Sequence, residues 1–248
     1  MLELQNLSVT LGKRKILRDV CLSLRQGRVA ALLGRNGSGK TTLLRAVCRE
    51  IPFRGTVTVN GSNTAILPPR ERAKQVAVLP QHPPMTDHTV KELVMLGRTP
   101  YLDLLSRPAP SDREAVHLAM READVLPLAE RTVASLSGGE RQKAYLAMLL
   151  AQDTPCVLLD EPTSYLDADA KRQLLANVKS LAAERNKAVL AVLHDLNDAI
   201  RVADDVLLLS DGELIFSGSV AEFIASDLAT LHFGLARNDS ADVLPFYY

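Results

Sequence analysis

The stretch "VAALLGRNGSGKTTLLRAV", residues 29–47, leaves a chain few ways to fold. Val29 to Leu33 is a continuous apolar run, as expected of a strand covered on both faces, and it leads directly into a glycine-rich loop and an apolar-periodic helix. Glycine lets the backbone approach an anion closely, and a helix N-terminus supplies roughly half a positive charge. Strand, loop and helix in that order make a phosphate cradle, and Gly34 to Thr42 satisfies the pattern G-x-x-x-x-G-K-[ST] in the right context. The residues expected around a nucleotide are therefore Gly34, Arg35, Asn36, Gly37, Ser38, Gly39, Lys40, Thr41 and Thr42. The amides from Gly37 to Lys40 suit a β-phosphate and Lys40 bridges β- and γ-phosphates; the Thr41 hydroxyl suits Mg²⁺, and Thr42 reaches the α-phosphate.

Three more apolar runs, "VAVLP" (76–80), "CVLLD" (156–160) and "AVLAVLH" (188–194), alternate with helical segments, which is the pattern of a parallel α/β sheet. Such a sheet delivers its strand C-termini to one edge, so Gln81, Asp160 and His194 are expected beside the glycine loop. Asp160 is placed to hold a metal ion, and Glu161 to orient or deprotonate a water for attack on a γ-phosphate. Gln81 is a further candidate metal ligand, and His194 is expected to touch the γ-phosphate region.

Around this core, "LELQNLSVT", "ILRDVCLSL" and "GTVTVNG" alternate in polarity, so residues 1–65 read as a β-rich antiparallel lobe wrapped around the first strand–loop–helix unit. Residues 89–152 read as a helical insertion, with capping boxes at Ser111…Glu114 and Ser137…Glu140. Residues 153–225 complete the α/β core and include an Asp-Gly hairpin and a short helix capped by Ser219…Glu222. The tail, 226–248, ends in three of the chain's aromatic residues and is expected to pack back on the body.

At 248 residues the chain can bury a full core. Lys plus Arg and Asp plus Glu balance at 29 each, so no global charge attracts nucleic acid or anionic lipid. The three cysteines lie far apart and lack metal spacing, which fits a reducing cytoplasm. No apolar run approaches the roughly 20 residues of a membrane span.

A second glycine-rich turn, "LSGGE" at Leu136–Glu140, also opens a helix and raises the question of why one chain carries two. With it in place, the chain resembles the ATP-binding subunit of ATP-binding cassette (ABC) transporters over nearly its whole length. It shows a Walker A loop, a Q-loop glutamine (Gln81), the LSGGE signature, a Walker B acid with its glutamate (Asp160, Glu161), a D-loop (Ser164–Asp167) and a switch histidine (His194), in family order. The resemblance implies a P-loop NTPase fold with a RecA-like core. It also implies ATP and Mg²⁺ as cofactors, and catalysis by Glu161, His194 and Lys40. Two copies would pack head to tail as a homodimer, so that Ser137, Gly138, Gly139 and Glu140 of one close over ATP held by the other. Transmembrane permease subunits would be direct partners and a substrate-binding protein an indirect one, with the chain peripheral on the cytoplasmic face of the cell membrane.

One departure stands out: where the family commonly sets an aromatic ring against adenine, this chain has Leu11, with Arg14 close by. "ELVMLGRTPYL" (92–102) and the segment after His194 are similar to importers of iron–siderophore complexes, haem and vitamin B12, with molybdate import a further alternative. On that similarity Arg98 and Tyr101 are expected to anchor the permease. Two other classes compete: a soluble ABC ATPase of DNA repair or translation, for which heptads and a second Walker motif are missing, and a regulatory module without turnover, against which Glu161 and His194 speak.

Overall fold

The computed structural model describes residues 1–103, 107–164, 166–234, 237–238 and 246–247. Strands β1 (Leu2–Leu11) and β2 (Arg14–Leu24) form the expected hairpin, and β4 (Arg54–Val59) pairs antiparallel with β1 on its other side. The two-residue β5 (Ser62–Asn63) completes a sheet of order β2-β1-β4-β5. Strand β3 (Arg28–Leu33) leaves this lobe for a second sheet, and the loop after it enters α1 (Lys40–Val47). The sequence-based lobe of residues 1–65 is thus interrupted, because β3 and α1 belong to the core.

The second sheet adds β6 (Val76–Leu79), β7 (Cys156–Asp160), β8 (Ala188–Val192), β9 (Asp205–Ser210) and β10 (Glu213–Ser219), in the order β10-β9-β3-β8-β7-β6. All pairings are parallel except β9 with β10, which the Asp211–Gly212 turn joins as a hairpin. Alternate residues of each strand serve two separate cores, as a period of two requires. Val29, Ala31 and Leu33 face one with Val157, Leu159, Val189 and Ala191. Ala30 and Leu32 face the other with Leu158, Leu190 and α1. Burial on both faces explains why these strands read as unbroken apolar runs.

Helices α2 (Pro69–Ala73), α3 (Val90–Leu96), α4 (Pro110–Glu122) and α5 (Gly138–Gln152) precede β7, and the last three make the helical insertion. Helix α5 starts on the expected Ser137…Glu140 box. The Ser137 amide donates to Glu140 at 2.8 Å, and the Glu140 amide to the Ser137 hydroxyl at 3.3 Å. The box expected at Ser111…Glu114 does not form. Pro110 begins α4 two residues earlier, where its fixed φ suits the first helical position, and Asp112 accepts the Ala109 N–H at 3.0 Å. Helices α6 (Ala168–Arg185) and α7 (Leu196–Val202) flank β8. Ser219…Glu222 caps α8 (Val220–Ala225) as expected, and α9 (Leu228–Phe233) follows. In the tail, β11 (Arg237–Asn238) pairs with β12 (Phe246–Tyr247), which runs beside α7. Tyr165 of the D-loop, and 235–236, 239–245 and Tyr248 of the tail, lie outside the described residues.

Arg98 and Tyr101 make contacts inside the subunit that the sequence did not reveal. The Arg98 guanidinium donates to Asp112 at 3.0 Å and to the Ala151 carbonyl at 2.8 Å, while stacking 4.0 Å from the centre of the Tyr101 ring. The Tyr101 hydroxyl donates to the Gln152 carbonyl at 2.9 Å, so both residues tie α3, α4 and the C-terminal end of α5 together. These bonds give both residues a structural role inside the subunit. The Arg98–Asp112 pair is largely buried, at 15% and 9% side-chain exposure. Removing one partner of such a pair strands the other charge, so Arg98→Ala should cost about 3 kcal/mol or more in urea unfolding. A loss below about 0.5 kcal/mol, the scale of an ordinary surface change, would contradict that assignment.

Candidate nucleotide site

The sheet register brings the expected residues to one edge. Val192 lies opposite both Leu32 and Asp160, so the loop after β3, the end of β7 and the segment carrying His194 leave the sheet at one level. Leu79 of β6 lies opposite Leu159, which brings Gln81 to the same edge. A cavity of about 570 Å³ there is lined by Gly37, Lys40, Thr41, Gln81, Glu161 and His194, among others.

The loop is held by close backbone packing. A Cβ on Gly34, at φ +151, would lie 2.2 Å from the Leu209 carbonyl, so only glycine lets β3 turn there. The Gly212 amide donates to the Ser38 carbonyl at 3.1 Å, and the Arg18 amide to the Gly212 carbonyl at 2.8 Å, so the β9–β10 hairpin and β2 brace the loop from outside. Ser38 Oγ is buried without a partner, and the Lys40 ammonium, in a residue only 6% exposed, donates to the Gly34 carbonyl at 2.7 Å and the Arg35 carbonyl at 3.2 Å. Burial holds the Lys40 pKa below the usual lysine range, opposed by the charges of Glu161 and Asp160. A buried cation resting on two carbonyls beside an orphaned hydroxyl is suited to an anion of high charge density.

Opposite the loop, Thr41 Oγ1 lies 3.4 Å from Asp160 Oδ1. Burial raises the Asp160 pKa, against the Thr41 hydrogen bond and the nearby Lys40 and His194 charges. A hydroxyl paired with a carboxylate, both oxygen donors, fits Mg²⁺, which takes one or two such protein ligands and keeps its waters. Glu161 follows in the left-handed region at φ +50 and opens a tight turn that the Ser164 amide closes on its carbonyl at 3.2 Å. Its carboxylate accepts from the Gln81 amide nitrogen and lies 2.5 Å from His194 Nε2. Gln81 thus keeps its amide oxygen for a cation, and Glu161 is held between an amide and an imidazole.

The structure therefore gathers Gly37, Lys40, Thr41, Gln81, Asp160, Glu161 and His194. It does not add the signature: Ser137, Gly138, Gly139 and Glu140 do not line this cavity. Leu11 is 42% exposed and also lies off the wall, which Arg14 and Ile16 of β2 form instead. Ile16 was not singled out from the sequence, since nothing in an alternating strand marks one apolar residue as ligand-facing.

A buried parallel sheet with a phosphate loop after one inner strand and an acid after another defines a P-loop nucleoside triphosphatase fold. Similarity narrows this. The family model described as ABC transporter matches residues 17–164. The chain is 36% identical to the ferric enterobactin transport ATP-binding protein FepC of Escherichia coli, over 93% of this chain and 86% of that one. It is 43% identical to the hemin import ATP-binding protein HmuV of Pseudomonas entomophila, over 86% and 84%. The dimeric structure of the bacterial ABC transporter cassette MJ0796 superposes with a TM-score of 0.79 at 26% identity, covering 89% of this chain and 99% of that one. The chain belongs to the ABC transporter family, as an ATP-binding subunit that hydrolyses ATP.

The raised Asp160 pKa has a consequence for stability. A carboxyl that binds its proton more tightly when folded makes its ionised form a liability above the folded pKa. That cost shrinks as the pH falls through this value and vanishes below the unfolded one. Asp160→Asn should therefore raise the thermal midpoint of the nucleotide-free protein at pH 7.5, with the gain over wild type narrowing as the pH is lowered. A variant less stable than wild type at pH 7.5 would contradict this.

Proposed function

We propose that this subunit powers import of an iron–siderophore complex through a membrane permease, as a head-to-tail homodimer with Mg²⁺-ATP at two shared sites. The observation that carries the shared sites is that, within one chain, the cavity lined by Lys40, Thr41 and Glu161 does not include the Ser137 helix terminus. Each is a half-site. The Ser137 hydroxyl and the Gly138 and Gly139 amides, at the N-terminus of α5, suit the γ-phosphate held by a second copy. The dimeric cassette with the same fold supports this reading.

In this scheme the Gly37–Lys40 amides hold the β-phosphate and Lys40 exchanges its loop carbonyls for β- and γ-phosphate oxygens. Thr41, Asp160 and the Gln81 amide oxygen would hold Mg²⁺, which would supply positive charge against the phosphates. Glu161 takes the proton of the attacking water and His194 contacts the γ-phosphate, so both must first give up their mutual contact. Arg14 and Ile16 make an aliphatic and cationic seat for the base in place of a ring stack.

The substrate never touches this chain, so its assignment rests on the relatives named for ferric enterobactin and hemin import. No helix among the described residues is long and apolar enough to cross a membrane, which suits a peripheral subunit on the cytoplasmic face beneath a permease, with a substrate-binding protein on the far side. Hemin import is the second reading, favoured by the 43% identity.

Vesicles carrying the permease that co-purifies with this chain should take up a labelled ferric siderophore when ATP is supplied on the subunit's side. Uptake of hemin alone would transfer the assignment to the second reading, and a native complex without any membrane protein would overturn the transport role. In the same vesicles Glu161→Gln should keep ATP binding while lowering turnover by roughly 10² to 10⁴.

A further inference from the structure

Helix α5 carries two polar side chains on its inward face, Gln142 and Tyr145, three residues apart and therefore on one side of the helix. Both are at most 6% exposed. Gln142 Nε2 donates to the Pro162 carbonyl at 2.5 Å, and the Tyr145 hydroxyl donates to the Pro84 carbonyl at 2.9 Å. Pro162 is the residue after Glu161 and lies within its tight turn; Pro84 lies in the loop that follows β6 and carries Gln81. The side chains of those two loops, Gln81 and Glu161, hydrogen-bond to each other.

We infer that Gln142 and Tyr145 form a two-pronged clamp by which α5 sets the position of Glu161 against Gln81, making them positioning residues for hydrolysis. Proline carbonyls accept but the residue has no N–H, so each loop offers a one-way handle that only a donor can grip. A glutamine almost wholly out of water must satisfy its amide, and the Pro162 carbonyl fixes which end points inward. Glu161 sits at positive φ, where a non-glycine residue is costly, so its turn needs holding from outside. The inward face of α5 otherwise buries Leu146 and Leu149, against which a glutamine is out of pattern unless it bonds. The N-terminus of the same helix is the Ser137 half-site, two turns or less away, so a shift of α5 reaches the carboxylate through Gln142. This rests on the proposed role of Glu161, and the test separates the two.

Gln142→Leu, Tyr145→Phe and each combined with Glu161→Gln should be compared with wild type for ATP hydrolysis, single-turnover rates and nucleotide affinity. Gln142→Leu should lower kcat by about 10- to 100-fold with KM for ATP within about twofold, because a misplaced base loses rate and not binding. Tyr145→Phe should act in the same direction and more weakly, which keeps the test open if Gln142→Leu does not fold. In the Glu161→Gln background neither change should lower the residual rate further, since groups acting through one residue are not additive. Gln142→Asn, with a donor one carbon shorter, should restore little. An equal fold-loss in both backgrounds, or a loss carried by KM, would mean that the two bonds merely stabilise the fold, and wild-type rates would remove the clamp. A Glu161→Gln variant that itself turns over normally would instead overturn the role of Glu161.

Discussion

A cation and a carboxylate kept out of water at the edge of a buried sheet, Lys40 and Asp160, set the terms for the rest of this molecule. Each residue is 6% exposed, and neither is comfortable there: burial lowers the one pKa and raises the other. Such groups persist only where the surroundings leave them no alternative. The surroundings are a sheet whose inner strands are covered on both faces and locked in parallel register, so that the ends of β3 and β7 cannot drift. The glycine loop is pinned further by Leu209, Gly212 and Arg18, elements distant in sequence that press on its backbone. The site is pre-formed, and its buried cation suits the charge of a phosphate.

The antiparallel lobe and the helical insertion do different work around that core. Through Leu17 and the Arg18 amide, β2 backs the loop, and through Arg14 and Ile16 it walls the cavity. The insertion is bound into one body by Arg98, Asp112, Tyr101 and Gln152. It packs on the parallel sheet through one shared apolar cluster, and Gln142 and Tyr145 add hydrogen bonds from α5 to loop carbonyls at the site.

Much of this was legible in the sequence because it is local. An apolar run followed by Gly34–Thr42 has few structural meanings, and the strand ends at Gln81, Asp160 and His194 could be aligned from the parallel pattern alone. The Ser137 cap and the Asp211–Gly212 hairpin carry their own geometry in neighbouring residues. The failures are non-local. The internal bonds of Arg98 and Tyr101 were not legible because their partners, Asp112, Ala151 and Gln152, lie up to 53 positions away. The cap of α4 moved from Ser111 to Ala109 because proline at the first turn outweighed a serine–glutamate spacing. Leu11 was expected at the nucleotide, but Arg14 and Ile16 line the cavity instead, since a hairpin's twist decides which side chain faces the loop. Gln142 did leave a trace, as an amide on an apolar helix face, but its partner carbonyl could not be read from spacing.

The central claim is that one chain holds two halves of two different sites, and mixing two inactive variants tests it most directly. Lys40→Ala damages the loop half and Ser137→Arg the signature half, so each variant alone should be nearly inactive. In a head-to-tail pair formed from one of each, both lesions fall on one site and the other site is wholly intact. ATP hydrolysis should therefore reappear on mixing and rise with the fraction of mixed dimers, to a maximum near equal amounts. A mixture no more active than its components, with mixed dimers shown to form, would contradict the shared site and require each chain to complete its own.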